Sequence, residues 1–129
     1  VAAEGRRALG ILLVSGTHER AHYAFVVAAA AAAIGRAVVV FATNDGCHAL
    51  LDDWSGLRGS DGDAAARARG VAGLEELREA ARALGVRLMA CEAGLRLAAI
   101  GADALPAGVE VAGVTTFLAA VDHGQIVTL

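Results

Sequence analysis

The sequence predicts an α/β fold: a three-layer α/β/α sandwich around a mainly parallel five-stranded sheet. Three observations carry this. Short apolar, β-branched runs recur along the chain, Ala- and Leu-rich helical stretches separate them, and strand and helix alternate from end to end. The 129 residues are enough for one compact core and too few for two ordinary domains, so 1–129 reads as a single domain.

"LGILLVSG" (9–16) is a continuous apolar run ending in small polar residues, the pattern of a strand buried on both faces. Thr17 suits an N-cap and Glu19 the positive end of a helix, which predicts a first helix from about His18 to Ile34, stopped by Gly35. "AVVVFA" (37–42) is the second strand, followed by the turn "TNDG" and then "CHALL". From Asp52 to Gly70 only Trp54 and Leu57 are bulky apolar anchors, so this stretch reads as a long surface loop, of the kind that serves as a lid or stays disordered. "VAGLEELREAARALG" (71–85) sets Val71, Leu74, Leu77, Ala81 and Leu84 on one helical stripe closed by Gly85. "VRLMA" (86–90) is the third strand, and "EAGLRLAAIG" (92–101) a short helix after Cys91. "VEVAG" supplies a fourth strand, "VTTFLAAVDHG" a fourth helix with Thr115 and Thr116 as capping and packing groups, and "QIVTL" the closing strand. With right-handed crossovers, loops leaving the strands' carboxyl ends open on one edge, where ligands ordinarily bind. Ser15 to His18, Thr43 to His48 and Cys91 share that edge.

Composition narrows the function. Eleven basic residues, all Arg, against 14 acidic ones give a net charge of −3, and only 4% of residues are aromatic, which argues against a nucleic-acid partner. The longest apolar stretch, Tyr23 to Ile34, falls short of the ~20 residues that span a bilayer, so it is a core helix and no membrane partner is expected. No secretory leader is visible at the start, and two cysteines do not make a disulfide framework, so a reducing cytoplasm is the expected location. No His/Cys spacing marks a metal site. The Ala-rich stretch Ala28 to Ala33 permits close helix packing, within a subunit or across an oligomer interface.

The chemistry centres on Cys91, between a strand and a helix N-terminus. There the helix dipole and unpaired N–H groups favour a thiolate that can attack sulfane sulfur, whereas Glu92 opposes it and Arg96 projects too far round the helix to help. The alternative is a buried, inert thiol. Cys47 either resolves an oxidised Cys91 or is merely packed. His18 and His48, from the first two edge loops, are candidates to stabilise a thiolate or orient a substrate, ahead of His22 inside the first helix, while His123 is left out near the last helical turn. Ser15, Gly16 and Thr17 form a candidate anion- or ligand-binding loop, although the fuller Gly-rich fingerprints are missing.

The stretch "LEELREAARALGVRLMACEAGLRLAAIGADALPAGVEVAGVTTFLAAV", with its order of helix, strand, Cys, short helix and "GVEVAGVTTFL", resembles the DsrE/DsrF/DsrH-like family, in particular the branch with one cysteine after strand three. "LVSGTHERAHYAFVVAAAAAAIGRAVVVFATNDG" is similar to that branch's first strand, helix and second strand, so the likeness covers nearly the whole chain. It implies a five-stranded α/β/α sandwich of flavodoxin-like appearance, a homo-oligomer, and a cytoplasmic sulfurtransferase or sulfur carrier that holds a persulfide on Cys91 and passes it to a small TusA-like carrier thiol without an organic cofactor. The Met-rich segments frequent in that branch are absent, the single Met being Met89, and Leu88 stands where a peroxiredoxin-style Thr-x-x-Cys would need Thr. Two rival readings stand beside it: a non-catalytic oligomeric module binding a small ligand, and a thiol redox sensor using Cys47 with Cys91.

Overall fold

A computed structural model describes residues 6–129. Five strands, β1 (Leu9–Leu13), β2 (Val38–Ala42), β3 (Arg87–Cys91), β4 (Val109–Ala112) and β5 (Gln125–Thr128), form one sheet in the order β4-β3-β2-β1-β5. Every pairing between them is parallel. The helices are α1 (His18–Ala33), α2 (Gly62–Ala68), α3 (Leu74–Ala83), α4 (Glu92–Leu97) and α5 (Val114–Val121), with a 3₁₀ segment at Asn44–Leu50.

Strand order explains the layers. From β1 to β4 the chain steps in one direction, and parallel crossovers of one hand then keep their helices on one face; the return to β5, beyond β1, places α5 on the other. The cores agree. Leu9, Ile11, Leu13, Val38, Val40, Leu88 and Ala90 face α1, α3 and Leu95 of α4, while Val39, Phe41 and Met89 face Phe117 and Val121 of α5. Phe41 and Phe117 stack at 5.0 Å between ring centres. Gly10 lets α5 lie this close, because a Cβ there would stand 2.4 Å from Val121 and 2.8 Å from Phe117.

The predicted elements are present, with instructive departures. Thr17 caps α1 as expected, its side chain accepting from Arg20 N–H, and Gly35 ends the helix at φ +92°. The stretch 52–70 is not a structureless loop. It contains α2, buries Leu57, and its Arg58 bridges Thr17, with His18 N–H donating to Arg58 O at 2.8 Å and Arg58 N–H to Gly16 O at 2.8 Å. Sequence pattern missed this because the anchors are hydrogen bonds and one buried carboxylate, Asp63, rather than an apolar stripe. Helix α3 starts later than its stripe implies: Val71 N–H closes the end of α2 onto Ala66 O, so Val71 is exposed before the helix, and Leu84 is exposed at its C-cap. The stripe instead carries Arg78, only 2% exposed, which donates to Ala49 O and Leu51 O at the end of the 3₁₀ segment. Helix α4 stops at Leu97 rather than running to Gly101, since Ala99 turns left-handed at φ +57° and Ile100 N–H folds back to Leu95 O. Thr115 and Thr116 lie exposed inside the first turn of α5, whose N-cap is Gly113, so they neither cap nor pack. No described helix is long and apolar enough to cross a membrane.

A cysteine site at the carboxyl edge of the sheet

Cys91 closes β3 and is at once the N-cap of α4. Its backbone is extended (φ −69°, ψ 123°), which turns Sγ toward the start of the helix, where it accepts the Gly94 N–H at 3.3 Å. This hydrogen bond satisfies one of the donors that a helix start leaves open. With only six residues in α4, the help is this local donor rather than a long dipole. Cys91 is half-buried.

The position of α4 depends on Gly94. A Cβ there would stand 2.4 Å from Asn44 N and 2.5 Å from Thr43 Oγ1, so the end of β2 reaches the first turn of α4 only because residue 94 has no side chain. Asn44, at φ +52°, makes the sharp exit from β2 that brings the chain there. Gly46 continues the close approach, donating to Val14 O and Thr43 O with its α-carbon against Leu13 O. Thr43 and Asn44 fall in the stretch expected at this edge, whereas Gly94 was not singled out from sequence, although a glycine three residues after a cysteine at a helix start is a readable signal.

The structure brings Cys47 to this place. It is fully buried in the 3₁₀ segment, its thiol donating to Ala42 O at 3.5 Å. Burial pushes the Cys47 thiol up to about 11; the neighbouring Cys91 and Asp45 push the same way, against a Cys91 backbone N–H. Both thiols are free. Glu92 does not act alone beside Cys91, because its carboxylate pairs with Arg96 at 3.0 Å on the helix surface. Arg96 therefore offsets the neighbouring charge on the helix surface.

The histidines go elsewhere. His18 is buried and bonds through Nε2 to Asp63 Oδ1 at 2.8 Å, with its ring 5.8 Å from Trp54 and 5.5 Å from His22. Burial works to raise the Asp63 carboxyl, but hydrogen bonds from Leu74 N–H and His18, together with the charges of His18 and Arg67, outweigh it and hold the group below its usual range. His48 is half-buried with its ring against Gly56, where a Cβ would stand 2.5 Å from Nδ1. Neither ring is hydrogen-bonded to a cysteine. In the loop before α1, Ser15 Oγ meets Thr17 Oγ1 at 2.9 Å and accepts Thr17 N–H at 3.1 Å, Gly16 packs against Asp45, and the His18 and Arg20 amides are also engaged. An anion there would compete with these partners. Among the described residues no group of three His, Cys, Asp or Glu side chains is placed to hold a metal ion.

Comparison with known proteins agrees with this architecture. The structure is similar to the ychN protein from E. coli, with a TM-score of 0.69 and 15% identity over 95% of this chain and 99% of that one. It is also similar to MTH1491 from Methanobacterium thermoautotrophicum, described as a protein of unknown function, with a TM-score of 0.63 and 18% identity over 95% and 99% of the two chains. No curated protein matches the sequence. The DsrE/DsrF-like family model matches residues 9–129, and the chain belongs to that family.

Proposed function

We propose that the protein is a sulfur carrier or sulfurtransferase that holds sulfane sulfur as a persulfide on Cys91. The observation that carries this is the contrast between the two thiols: Cys91 is half-exposed at the carboxyl edge with a backbone N–H directed at Sγ, whereas Cys47 is sealed and held as a neutral thiol. Membership of the DsrE/DsrF-like family supports a sulfur-related role. In loading, the Cys91 thiolate attacks the outer sulfur of a donor persulfide; a new S–S bond forms, the donor's S–S bond breaks, and the donor leaves as a thiolate. In unloading, an acceptor thiolate attacks the terminal sulfur and Cys91 departs as thiolate. No net oxidant and no organic cofactor is needed. A small TusA-like thiol carrier in the cytoplasm is the acceptor we propose.

A homo-oligomer belongs to the same reading. Val114 and Leu118 of α5, Ile126 of β5 and Val14 beyond β1 are exposed around the more thinly covered face of the sheet. The test is transfer: protein loaded with sulfur and separated from donor is mixed with a small cysteine-bearing carrier, and both masses are followed. Movement of one sulfur to the carrier, absent with Cys91→Ser, supports the proposal; a carrier that stays unmodified while the loaded protein keeps its sulfur contradicts it. Proximity of Cys47 to Cys91 favours the redox-sensor reading, but burial and the neutral state of Cys47 make it a poor attacking thiol.

A further inference from the structure

The described cleft at the start of α1 is separate from Cys91. About 520 Å³ in volume, it is lined by residues of α1, by Gly62 and Ala66 of α2, and by Leu129 beyond β5. It lies where β1 stands between its sequence neighbour β2 and the returning strand β5, the point of order reversal at which parallel α/β sheets ordinarily bind ligands.

Two histidines in it are held by hydrogen bonds that also tie α1 to the segment carrying Asp63 and Ala72. His18 and His22 stand one helical turn apart, with ring centres 5.5 Å from one another. Each Nε2 is already committed to an acceptor, that of His18 to Asp63 Oδ1 at 2.8 Å and that of His22 to Ala72 O at 2.8 Å. An imidazole that donates from Nε2 carries its lone pair on Nδ1. In the neutral rings both Nδ1 atoms are acceptors, and the His18 side chain is only 9% exposed, with Nδ1 the nearest atom to a Cβ built on the cleft residue Gly62. Pairing of the far nitrogen with a carboxylate or a backbone carbonyl is how metal-binding histidines are oriented. Two imidazoles sharing an ion at ordinary metal–nitrogen lengths have ring centres roughly 5 Å apart.

We propose that His18 and His22 bind one divalent transition ion of the class that prefers imidazole (Zn²⁺, Ni²⁺ or Cu²⁺) through their Nδ1 atoms. Asp63 and Ala72 orient the rings from behind. Because no third His, Cys, Asp or Glu completes the set among the described residues, the remaining positions belong to water or an incoming ligand from the open cleft. Glu19 and Arg20 line the same cleft and set its charge.

The experiment is calorimetric titration of the full chain with NiCl₂ and with ZnCl₂, using Cys91→Ser so that the half-exposed thiol does not compete. One ion per chain is expected, with affinity reduced by at least about tenfold in Asp63→Asn through loss of ring orientation, and binding lost in His22→Ala. His22 is only half-buried, so its variant tests the site even if Asp63→Asn is poorly folded. NMR of the histidine rings with Ni²⁺ is expected to perturb His18 and His22 and spare His48 and His123. Absence of binding at millimolar ion, or binding that His22→Ala leaves intact, overturns the proposal.

Discussion

At the scale of single residues, the two sulfur atoms at the carboxyl edge stand in opposite surroundings, one at a helix start and the other in a closed core. Folding holds the Cys47 thiol at about 11, above its ordinary value of 9.0, so its neutral form stabilises the fold. That contribution is complete below about pH 9 and is lost as pH rises through about 11. Chemical denaturation across this window is expected to show falling stability in the wild type and a flatter profile in Cys47→Ala. Gly94 is the more sensitive position. Gly94→Ala forces a methyl group into Asn44 and Thr43, and a cost of about 1–3 kcal/mol is expected, together with displacement of the residue-94 N–H from Cys91 Sγ. Denaturant midpoints and alkylation rates at Cys91 measure the two effects separately. The sequence placed Cys91 correctly at the junction of strand and helix. It could not aim side chains: His18 and His48 come from the right edge, yet their rings turn to Asp63 and Gly56.

At the scale of elements, the segment from Asp52 to Gly73 is pinned from α1. His18 holds Asp63, His22 holds Ala72 O, and Thr17 pairs with Arg58, so α2 is fixed by polar contacts over a small apolar anchor at Leu57. Asp63→Ala leaves Leu74 N–H and His18 without their buried acceptor, for which a cost of about 1–3 kcal/mol is expected. Limited proteolysis is expected to cut this variant within 52–73 before any other described segment. Acid acts on the same contact. The Asp63 carboxyl is held below 3.8, so its contribution is present above about pH 4 and disappears as pH falls through the lower folded value. Hydrogen exchange in α2 therefore rises ahead of exchange in β2 as pH falls below about 4. Strands and long helices were legible because burial writes itself as β-branched runs and a 3.6-residue stripe. Helix α2 and buried Arg78 were not, because hydrogen bonds between distant residues leave no period in the sequence.

At the scale of the whole molecule, strand order decides both the layers and the sites. Helices α1, α3 and α4 cover one face, with α2 against α1, and α5 alone covers the other, leaving Leu118 and Val114 at 50% exposure beside Ile126 at 43%. If this face joins subunits, light scattering gives a multiple of the chain mass for the wild type and the single-chain mass for Leu118→Asp. A monomeric wild type removes the oligomer from the account. The alternation of elements made the layered fold readable in advance, and the full set of parallel pairings follows from it. The reversal at β1 and β5 was not readable, since "QIVTL" pairs on either edge equally well by pattern alone.

The most direct test of the central claim is the intact mass of the protein after incubation with glutathione persulfide, for wild type, Cys91→Ser and Cys47→Ser at matched oligomeric state. One added, reducible sulfur is expected in wild type and Cys47→Ser and none in Cys91→Ser. Sulfur retained in full by Cys91→Ser, or no adduct on a wild type whose Cys91 also resists alkylation, contradicts it.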